Sequence, residues 1–232
     1  MIREIVLDTE TTGLSPAEGH RVVELGCVEL INHVPTGRHW HQYFNPERDM
    51  PEDARRIHGL DDAFLVEKPL FAAEAGSFLD FVAADTLVIH NAGFDIGFLN
   101  AEFERIGFPA LKNPIIDTVK LARDVNPGAR ASLDALCKLY GIDNSRRTLH
   151  GALLDSEILA DVYLELIGGR QVALALSAEA EAGRGTDTKG ARSLAPKRPE
   201  TLPPRLGETA RTEHDTFVAG LGDKAIWVKY RS

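Results

Sequence analysis

Two hydrophobic periods alternate along the first 169 residues. Apolar stretches rich in β-branched residues, some with period-two alternation, predict strands, and apolar residues three and four apart predict amphipathic helices. Together they predict one α/β domain over residues 1–169. The predicted strands cover 3–7, 21–31, 40–44, 86–90 and 115–116. The predicted helices cover 51–58, 71–81, 92–106, 118–123, 132–140 and 151–167.

The pattern changes after residue 169. Residues 178–210 contain few large apolar side chains and many Gly, Pro and Thr, so this stretch is predicted to be a flexible linker within a segment 170–210. In the last segment, 211–232, apolar positions at i, i+3, i+4 and i+7 predict a short amphipathic helix. That segment is too short to be stable alone and too apolar to prefer water, so we expect it to dock on a partner.

Composition excludes several classes of protein. The chain has 232 residues, of which 44% are hydrophobic and 26% charged, which is typical of a globular protein. No apolar run approaches the roughly 20 residues of a membrane span, so no membrane association is expected. Cys27 and Cys137 lie far apart and form no disulfide or zinc-binding pattern, which favours a reducing cytoplasm.

Charge is unevenly distributed. Residues 1–169 carry 15 Lys and Arg against 27 Asp and Glu, whereas residues 170–232 carry 11 against 8. An acidic domain does not bind nucleic acid through a broad basic patch. If the domain acts on phosphates, bound cations or a partner must overcome the repulsion.

Asp8 and Glu10 follow the first predicted strand. Period-two geometry places both side chains on one face, with Thr9 on the other. Two neighbouring carboxylates repel each other unless a cation or a proton intervenes. The alternative is that both belong to a solvated loop.

Three further polar residues occupy interior or near-interior positions. Asp155 lies in the middle of the apolar stripe of the last helix of the domain, where a carboxylate needs a salt-bridge partner or a metal ion. Asp95, in the first turn of its helix, either complements the helix dipole or faces the interior. His150 lies on the loop before the last helix, where it is either structural or free to approach the same site.

A site made of carboxylates selects hard cations such as Mg²⁺ or Mn²⁺. Two such ions can orient water and stabilise developing charge in phosphate chemistry. They would also remove the electrostatic difficulty of an acidic domain. This hypothesis requires the four acids to converge, and an arginine filling the site would argue against it.

Three runs of the sequence carry a family resemblance. They are 8–14 (DTETTGL), 90–95 (HNAGFD) and 150–155 (HGALLD), and they resemble, in order, the three motifs of the DEDDh 3′–5′ exonuclease superfamily. The combination is highly specific, although each run alone would be weak. The resemblance covers nearly all of residues 1–167. It implies a ribonuclease-H-like mixed sheet flanked by helices, with a flexible C-terminal tail.

The resemblance also implies roles for the motif residues. Asp8, Glu10 and Asp155 would hold the first of two Mg²⁺ or Mn²⁺ ions, with Asp8 bridging to the second. Asp95 would support the second ion. His150 would be the general base that deprotonates the attacking water, and a nucleoside 5′-monophosphate would be released.

Substrate contacts are implied at three positions. Residues 56–60 (RIHGL) match a family segment near the substrate, so His58 would contact the terminal nucleotide, although a histidine at a helix end is an equally good explanation. Leu14 would pack against the terminal base pair. The backbone or hydroxyl of Thr11 would touch the sugar.

The tail contains two further resemblances. Gln171, Leu174 and Leu176 match the short peptide that binds a sliding clamp, and a frayed helix end is the alternative. The last segment is similar to the part that anchors such nucleases to the catalytic subunit of a replicative polymerase. Its candidate contacts are Phe217, Val218, Leu221 and Trp227.

These expectations describe an exonuclease that proofreads for a replicative DNA polymerase. The expected partners are a single-stranded or frayed DNA 3′ end, the polymerase catalytic subunit and the sliding clamp. One alternative is an RNA-processing member of the superfamily, similar to ribonuclease T or oligoribonuclease. Another is a non-catalytic scaffold that links clamp and polymerase, which would be expected to have lost the acids.

Overall fold

The computed structural model describes residues 2–168 and 207–221. The chain divides into two compact units, Met1–Glu179 and Ala180–Ser232. The first contains a five-stranded mixed sheet in the order β3-β2-β1-β4-β5. Pairs β1–β2 and β2–β3 are antiparallel, and β1–β4 and β4–β5 are parallel. The strands are β1 (Arg3–Thr11), β2 (Val22–Ile31), β3 (Val34–Tyr43), β4 (Thr86–Ile89) and β5 (Ile115–Asp117).

Seven α-helices of the first unit lie between or after these strands, with a short 3₁₀ helix at Pro16–Glu18. They are α1 (Glu52–His58), α2 (Asp62–Leu65), α3 (Phe71–Val82), α4 (Ala92–Arg105), α5 (Thr118–Val125), α6 (Leu133–Tyr140) and α7 (Ala152–Leu166). The described part of the second unit is α8 (Glu208–Gly220). Among the described residues, no helix is long and apolar enough to cross a membrane.

The central strand β1 supplies both faces of the sheet with core residues. Ile5 and Leu7 are fully buried in a cluster with residues of α3 and α4, whereas Val6 is buried with residues of α5, α6 and α7. Alternation along the strand therefore decides which helices each residue contacts. The same alternation continues into the polar end of β1.

Helix α7 lies directly against β2 at Gly26. A Cβ atom at this position would overlap the backbone of Ala152 and Leu153, so only glycine permits the approach. The hydroxyl of Ser156 donates a hydrogen bond to the Gly26 carbonyl at 3.0 Å. This close contact fixes the first turn of α7 against the sheet.

The predicted mixed α/β fold with flanking helices is confirmed, with three local differences. Strand β1 continues to Thr11, so Asp8 and Glu10 lie within the strand and not in a solvated loop. Strand β3 begins at Val34 and not at residue 40, because residues 32 and 33 form a tight turn with positive φ that starts the strand earlier. The first part of the strand was not predicted, because its exposed residues show no apolar alternation. Helix α2 was not predicted, since four residues are too few to show a period.

Candidate active site

The end of β1 and the first turns of α4 and α7 meet at one edge of the sheet. Because β1 and β4 are parallel neighbours, α4, which follows β4, starts beside the end of β1. The hydroxyl of Thr9 donates to Oδ1 of Asp95 at 2.7 Å. Thr9 therefore holds Asp95 on the α4 side, while Asp8 and Glu10 face the α7 side, as period two requires.

Three of the predicted residues present ligand atoms to a common point. One atom each from Glu10, His150 and Asp155 lies within 4.8 Å of the other two. The two carboxylates are buried and the imidazole is exposed. The structure therefore brings two of the four acids and the histidine within reach of one ion.

Burial, with neighbouring charges, raises the pKa values of three of the acids. Burial, followed by the charges of Asp95, Glu10 and Asp155, raises the pKa of Asp8 well above its usual range. Burial and then the carboxylate of Glu24 raise the pKa of Glu10 to about 8. Burial also raises the pKa of Asp95 to about 7, although the bond from Thr9 opposes that shift. A positive charge nearby would favour the ionised form of each of these acids.

Arg147 places one positive charge in the site, and sequence reasoning missed this residue. Its Nε donates to Oδ1 of Asp155 at 2.5 Å and its Nη2 donates to Oδ2 at 2.8 Å. Nη2 also donates to Nδ1 of His150 at 2.9 Å, and Nη1 donates to Asp134 at 2.8 Å. Asp155 therefore has a salt-bridge partner, which is one of the two alternatives that its position in the apolar stripe left open.

Arginine does not fill the whole site. In the part of the chain that the structure describes, no Arg or Lys forms an ion pair with Asp8, Glu10 or Asp95. A single guanidinium therefore contacts one of the four carboxylates, and the pKa values of the other three are raised. An arginine three residues before His150 is the only trace of this contact in the sequence, and it does not predict the pairing.

The histidine is held in position by its backbone as well. The N–H of His150 donates to the carbonyl of Ile57 at the end of α1 at 3.1 Å. Burial and then the charge of Arg147 lower the pKa of the imidazole, so His150 is neutral near pH 7. Since arginine only donates, Nδ1 of His150 is the accepting nitrogen in this arrangement.

Glu24 is a second residue that sequence reasoning missed. It lies directly opposite Glu10 in the β1–β2 register and is buried. Its Oε1 lies 2.8 Å from Nε2 of His41, at hydrogen-bond distance. Strand pairing could have found it, because the position opposite a functional residue shares its face.

The acids line a cleft of about 730 Å³. Its wall includes all eight predicted catalytic and substrate residues of the first unit, namely Asp8, Glu10, Thr11, Leu14, His58, Asp95, His150 and Asp155. The arrangement therefore places the proposed metal ligands beside a space large enough for a nucleotide.

The three predicted substrate residues differ in what they offer to this cleft. Leu14 is 83% exposed, so its side chain is free to contact a ligand. The hydroxyl of Thr11 donates to the Gly13 carbonyl at 2.6 Å and is therefore already engaged. His58 is buried; its Nδ1 accepts from the Leu60 N–H at 3.1 Å, and burial lowers its pKa.

The tail residues have mixed outcomes. Gln171, Leu174, Leu176 and Trp227 lie outside the described residues. Of the predicted stripe on α8, Phe217 and Leu221, which follows the helix, are exposed, whereas Val218 is buried. The predicted amphipathic helix exists, but these side chains do not share one environment.

The fold and the site define a class of protein: a nuclease built on a ribonuclease-H-like sheet, with acids converging at the end of its central strand. Residues 5–163 match the family described as Exonuclease, and the chain belongs to this family. It is a 3′–5′ exonuclease, as the resemblance of the three motifs predicted.

Similar proteins agree with this assignment. The DNA polymerase III subunit epsilon of Rickettsia prowazekii (strain Madrid E) is 57% identical over 175 residues, which cover 73% of this chain and 76% of that protein. Exonuclease X, solved in complex with 5′ overhanging duplex DNA, is 26% identical with a TM-score of 0.57 over 71% of this chain and 90% of that one. The nuclease domain of 3′hExo, a DEDDh family member bound to rAMP, shares the fold, with a TM-score of 0.64 and 17% identity over 71% and 91% of the two chains.

Proposed function

We propose that this chain is the metal-dependent 3′–5′ exonuclease subunit that proofreads for a replicative DNA polymerase. The observation that carries the proposal is the convergence of Asp8, Glu10, Asp95, Asp155 and His150 on one cleft of an exonuclease fold. The 57% identity to a polymerase III epsilon subunit directs it to DNA replication.

The donor set fits hard divalent ions. Carboxylate oxygens are the ligands that Mg²⁺ and Mn²⁺ prefer, and burial raises the pKa values of Asp8, Glu10 and Asp95, an effect that a bound cation would oppose. Asp8, Glu10 and Asp155 would hold one ion, and Asp8 with Asp95 the second. When bound, such ions neutralise phosphate charge and make water more acidic.

His150 is the proposed general base. Its neutral imidazole takes a proton from the attacking water, whose oxygen forms a bond to the terminal phosphorus. The bond from that phosphorus to the 3′ oxygen of the preceding nucleotide breaks, the 3′ oxygen takes up a proton from solvent to become a hydroxyl, and a nucleoside 5′-monophosphate leaves. The lowered pKa keeps His150 unprotonated near neutral pH, which the role of a base requires.

The cleft favours a single-stranded or frayed DNA 3′ end as substrate. Exposed Leu14 lies at the cleft with the Thr11 backbone and His58, where a terminal nucleotide would contact all three. The acidity of residues 1–169 argues against tight binding of duplex DNA through its backbone.

Residues 170–232 are proposed to connect the nuclease to its partners. The clamp would bind Gln171, Leu174 and Leu176 in segment 170–210, and the polymerase catalytic subunit would bind segment 211–232. Exposed Phe217 and Leu221 support a contact there. Tethering suits a nuclease that binds DNA weakly, because a linker raises effective concentration. Buried free Cys27 and Cys137 support a cytoplasmic location.

The substrate ranking of the purified full chain tests the function. With Mg²⁺ or Mn²⁺, nucleotide release from a mismatched DNA 3′ end should be faster than release from RNA of the same sequence.

His150→Ala should lower the rate of nucleotide release at least about a hundredfold while Mn²⁺ affinity changes little, because a general base contributes that much. Faster release from RNA would favour an RNA-processing enzyme, and an unchanged rate in His150→Ala would exclude the base.

A further inference from the structure

Arg147 occupies the groups that the proposed reaction needs. It contacts both oxygens of Asp155 and the accepting nitrogen of His150, and its side chain is only 9% exposed. A divalent ion held by Asp155 would lie within a few ångströms of the guanidinium. Like charges at that separation repel strongly when water is excluded.

We infer that Arg147 is a positioning residue that serves as the counter-cation of the metal-free site and leaves Asp155 when a divalent ion binds. This inference rests on the proposed function, because it takes Asp155 as a ligand of the ion. The same movement frees Nδ1 of His150. Binding of the ion would thus expose the base at the moment when the site becomes able to hold substrate.

Arg147 has a second carboxylate partner at the side of the cleft. Nη1 of Arg147 already contacts Oδ1 of Asp134 at 2.8 Å, and the Asp134 side chain is 65% exposed. Asp134 belongs to the first turn of α6 and lines the cleft without belonging to the converging acids. Arg147 lies on the loop between α6 and α7, so a change of side-chain rotamer would keep the contact with Asp134 while releasing Asp155.

The chain contains a matched control for the charge. Arg146 precedes Arg147 on the same loop, and it pairs with Glu157 at 3.7 Å; both side chains are exposed. Replacing either arginine by glutamine removes one positive charge from almost the same place in the sequence. Only the change at residue 147 removes the competitor from Asp155.

The experiment measures Mn²⁺ binding to the metal-stripped full chain by titration calorimetry, with thermal unfolding as a second readout. Arg147→Gln should lower the Kd for Mn²⁺ about tenfold or more, since one repelling charge is removed. Arg146→Gln should stay within about twofold of the unsubstituted protein. Without ions, Arg147→Gln should also have a lower Tm, and Mn²⁺ should raise its Tm further than that of the unsubstituted protein.

Arg147→Lys keeps the charge but loses the bidentate contact, so its Kd for Mn²⁺ should lie between that of the unsubstituted protein and that of Arg147→Gln. The lysine variant replaces the glutamine variant in the test if the latter does not fold. An unchanged or raised Kd in the folded Gln or Lys variant would overturn the inference, as would an equal effect of Arg146→Gln. Absence of Mn²⁺ binding in the unsubstituted protein would instead contradict the proposed function, and the inference with it.

Discussion

Single residues at the end of β1 are arranged for chemistry at the expense of stability. Asp8 and Glu10 face α7 beneath Asp155, and Glu24 adds another buried carboxylate opposite Glu10. Buried acids in such proximity destabilise the folded state unless protons or cations neutralise them. The proposed metal ions therefore account for the burial of these acids better than a contribution to the stability of the fold does.

The pH dependence of stability should reveal this cost. The pKa of Glu10 is about 8 in the folded chain, against an ordinary value of 4.5, so the folded state binds more protons between these values. Without divalent ions, this group's contribution to the free energy of unfolding is full below about pH 4.5 and is lost as pH rises through about 8. Glu10→Gln should thus be more stable than the unsubstituted chain at pH 8 by at least about 1 kcal/mol, with a smaller difference at pH 5.

Urea unfolding at the two pH values, in the presence of a chelator, measures the effect. Glu104→Gln is the matched control, because Glu104 is exposed on α4. Its stability should differ from that of the unsubstituted chain by less than about 0.5 kcal/mol at both pH values. A Glu10→Gln variant with the same small difference at pH 5 and pH 8 would show that Glu10 is not destabilised by its surroundings.

Among the elements, α7 and β2 determine the position of Asp155 through one close contact. Gly26 allows the backbone at Ala152 and Leu153 to lie directly on the strand. The first turn of α7, which carries Asp155, follows from that contact. Packing between a helix and a strand thus sets the position of Asp155, a proposed metal ligand on the first turn of that helix.

Gly26→Ala should therefore disturb stability and catalysis together. The added methyl forces α7 away from β2, at a cost of about 1–3 kcal/mol or more, and moves Asp155 away from Glu10. Chemical denaturation and the rate of nucleotide release measure the two effects. Gly76→Ala, at an exposed position of α3, meets nothing within 4 Å and should keep full activity, with stability unchanged or raised by up to about 1 kcal/mol. Full activity in Gly26→Ala would mean that α7 is not positioned by this contact.

The elements also show how far hydrophobic pattern alone can predict structure. The helices predicted over 51–58 and 132–140 end where predicted, and Gly59 and Gly141 follow them with positive φ. The first half of β3 was not predicted, because its exposed residues carry no alternation. Such a strand is specified by pairing with β2, which a local pattern does not contain.

For the whole molecule, charge and topology suggest a division of labour. The first unit contains the complete sheet, both of its helical layers and the cleft. Residues 170–232 carry a net positive charge and none of the proposed ligands. Catalysis and attachment are therefore expected to separate when the chain is cut.

A chain ending at Gly169 should keep its exonuclease rate on a short DNA strand, within about twofold, because every residue of the site remains. It should no longer co-purify with the polymerase catalytic subunit, since segment 211–232 is the proposed anchor. Activity assays and affinity purification measure the two properties, with the full chain as control. Retained association would place the polymerase contact in the first unit.

The sequence by itself determined the alternation of β1, the helices that follow β4 and precede the C-terminal tail, and the identity of the acids. These features depend on the local hydrophobic period and on the spacing of the motifs, and both are present in the sequence regardless of tertiary contacts. The side of the strand on which Asp8, Thr9 and Glu10 lie follows from period two alone.

Only the tertiary structure decided that Arg147 reaches both Asp155 and His150, and that Glu24 is buried beside Glu10. The first contact depends on the course of the loop between α6 and α7, and the second on the register of two strands. Neither has a local period, because both result from side chains meeting once distant backbone segments have packed.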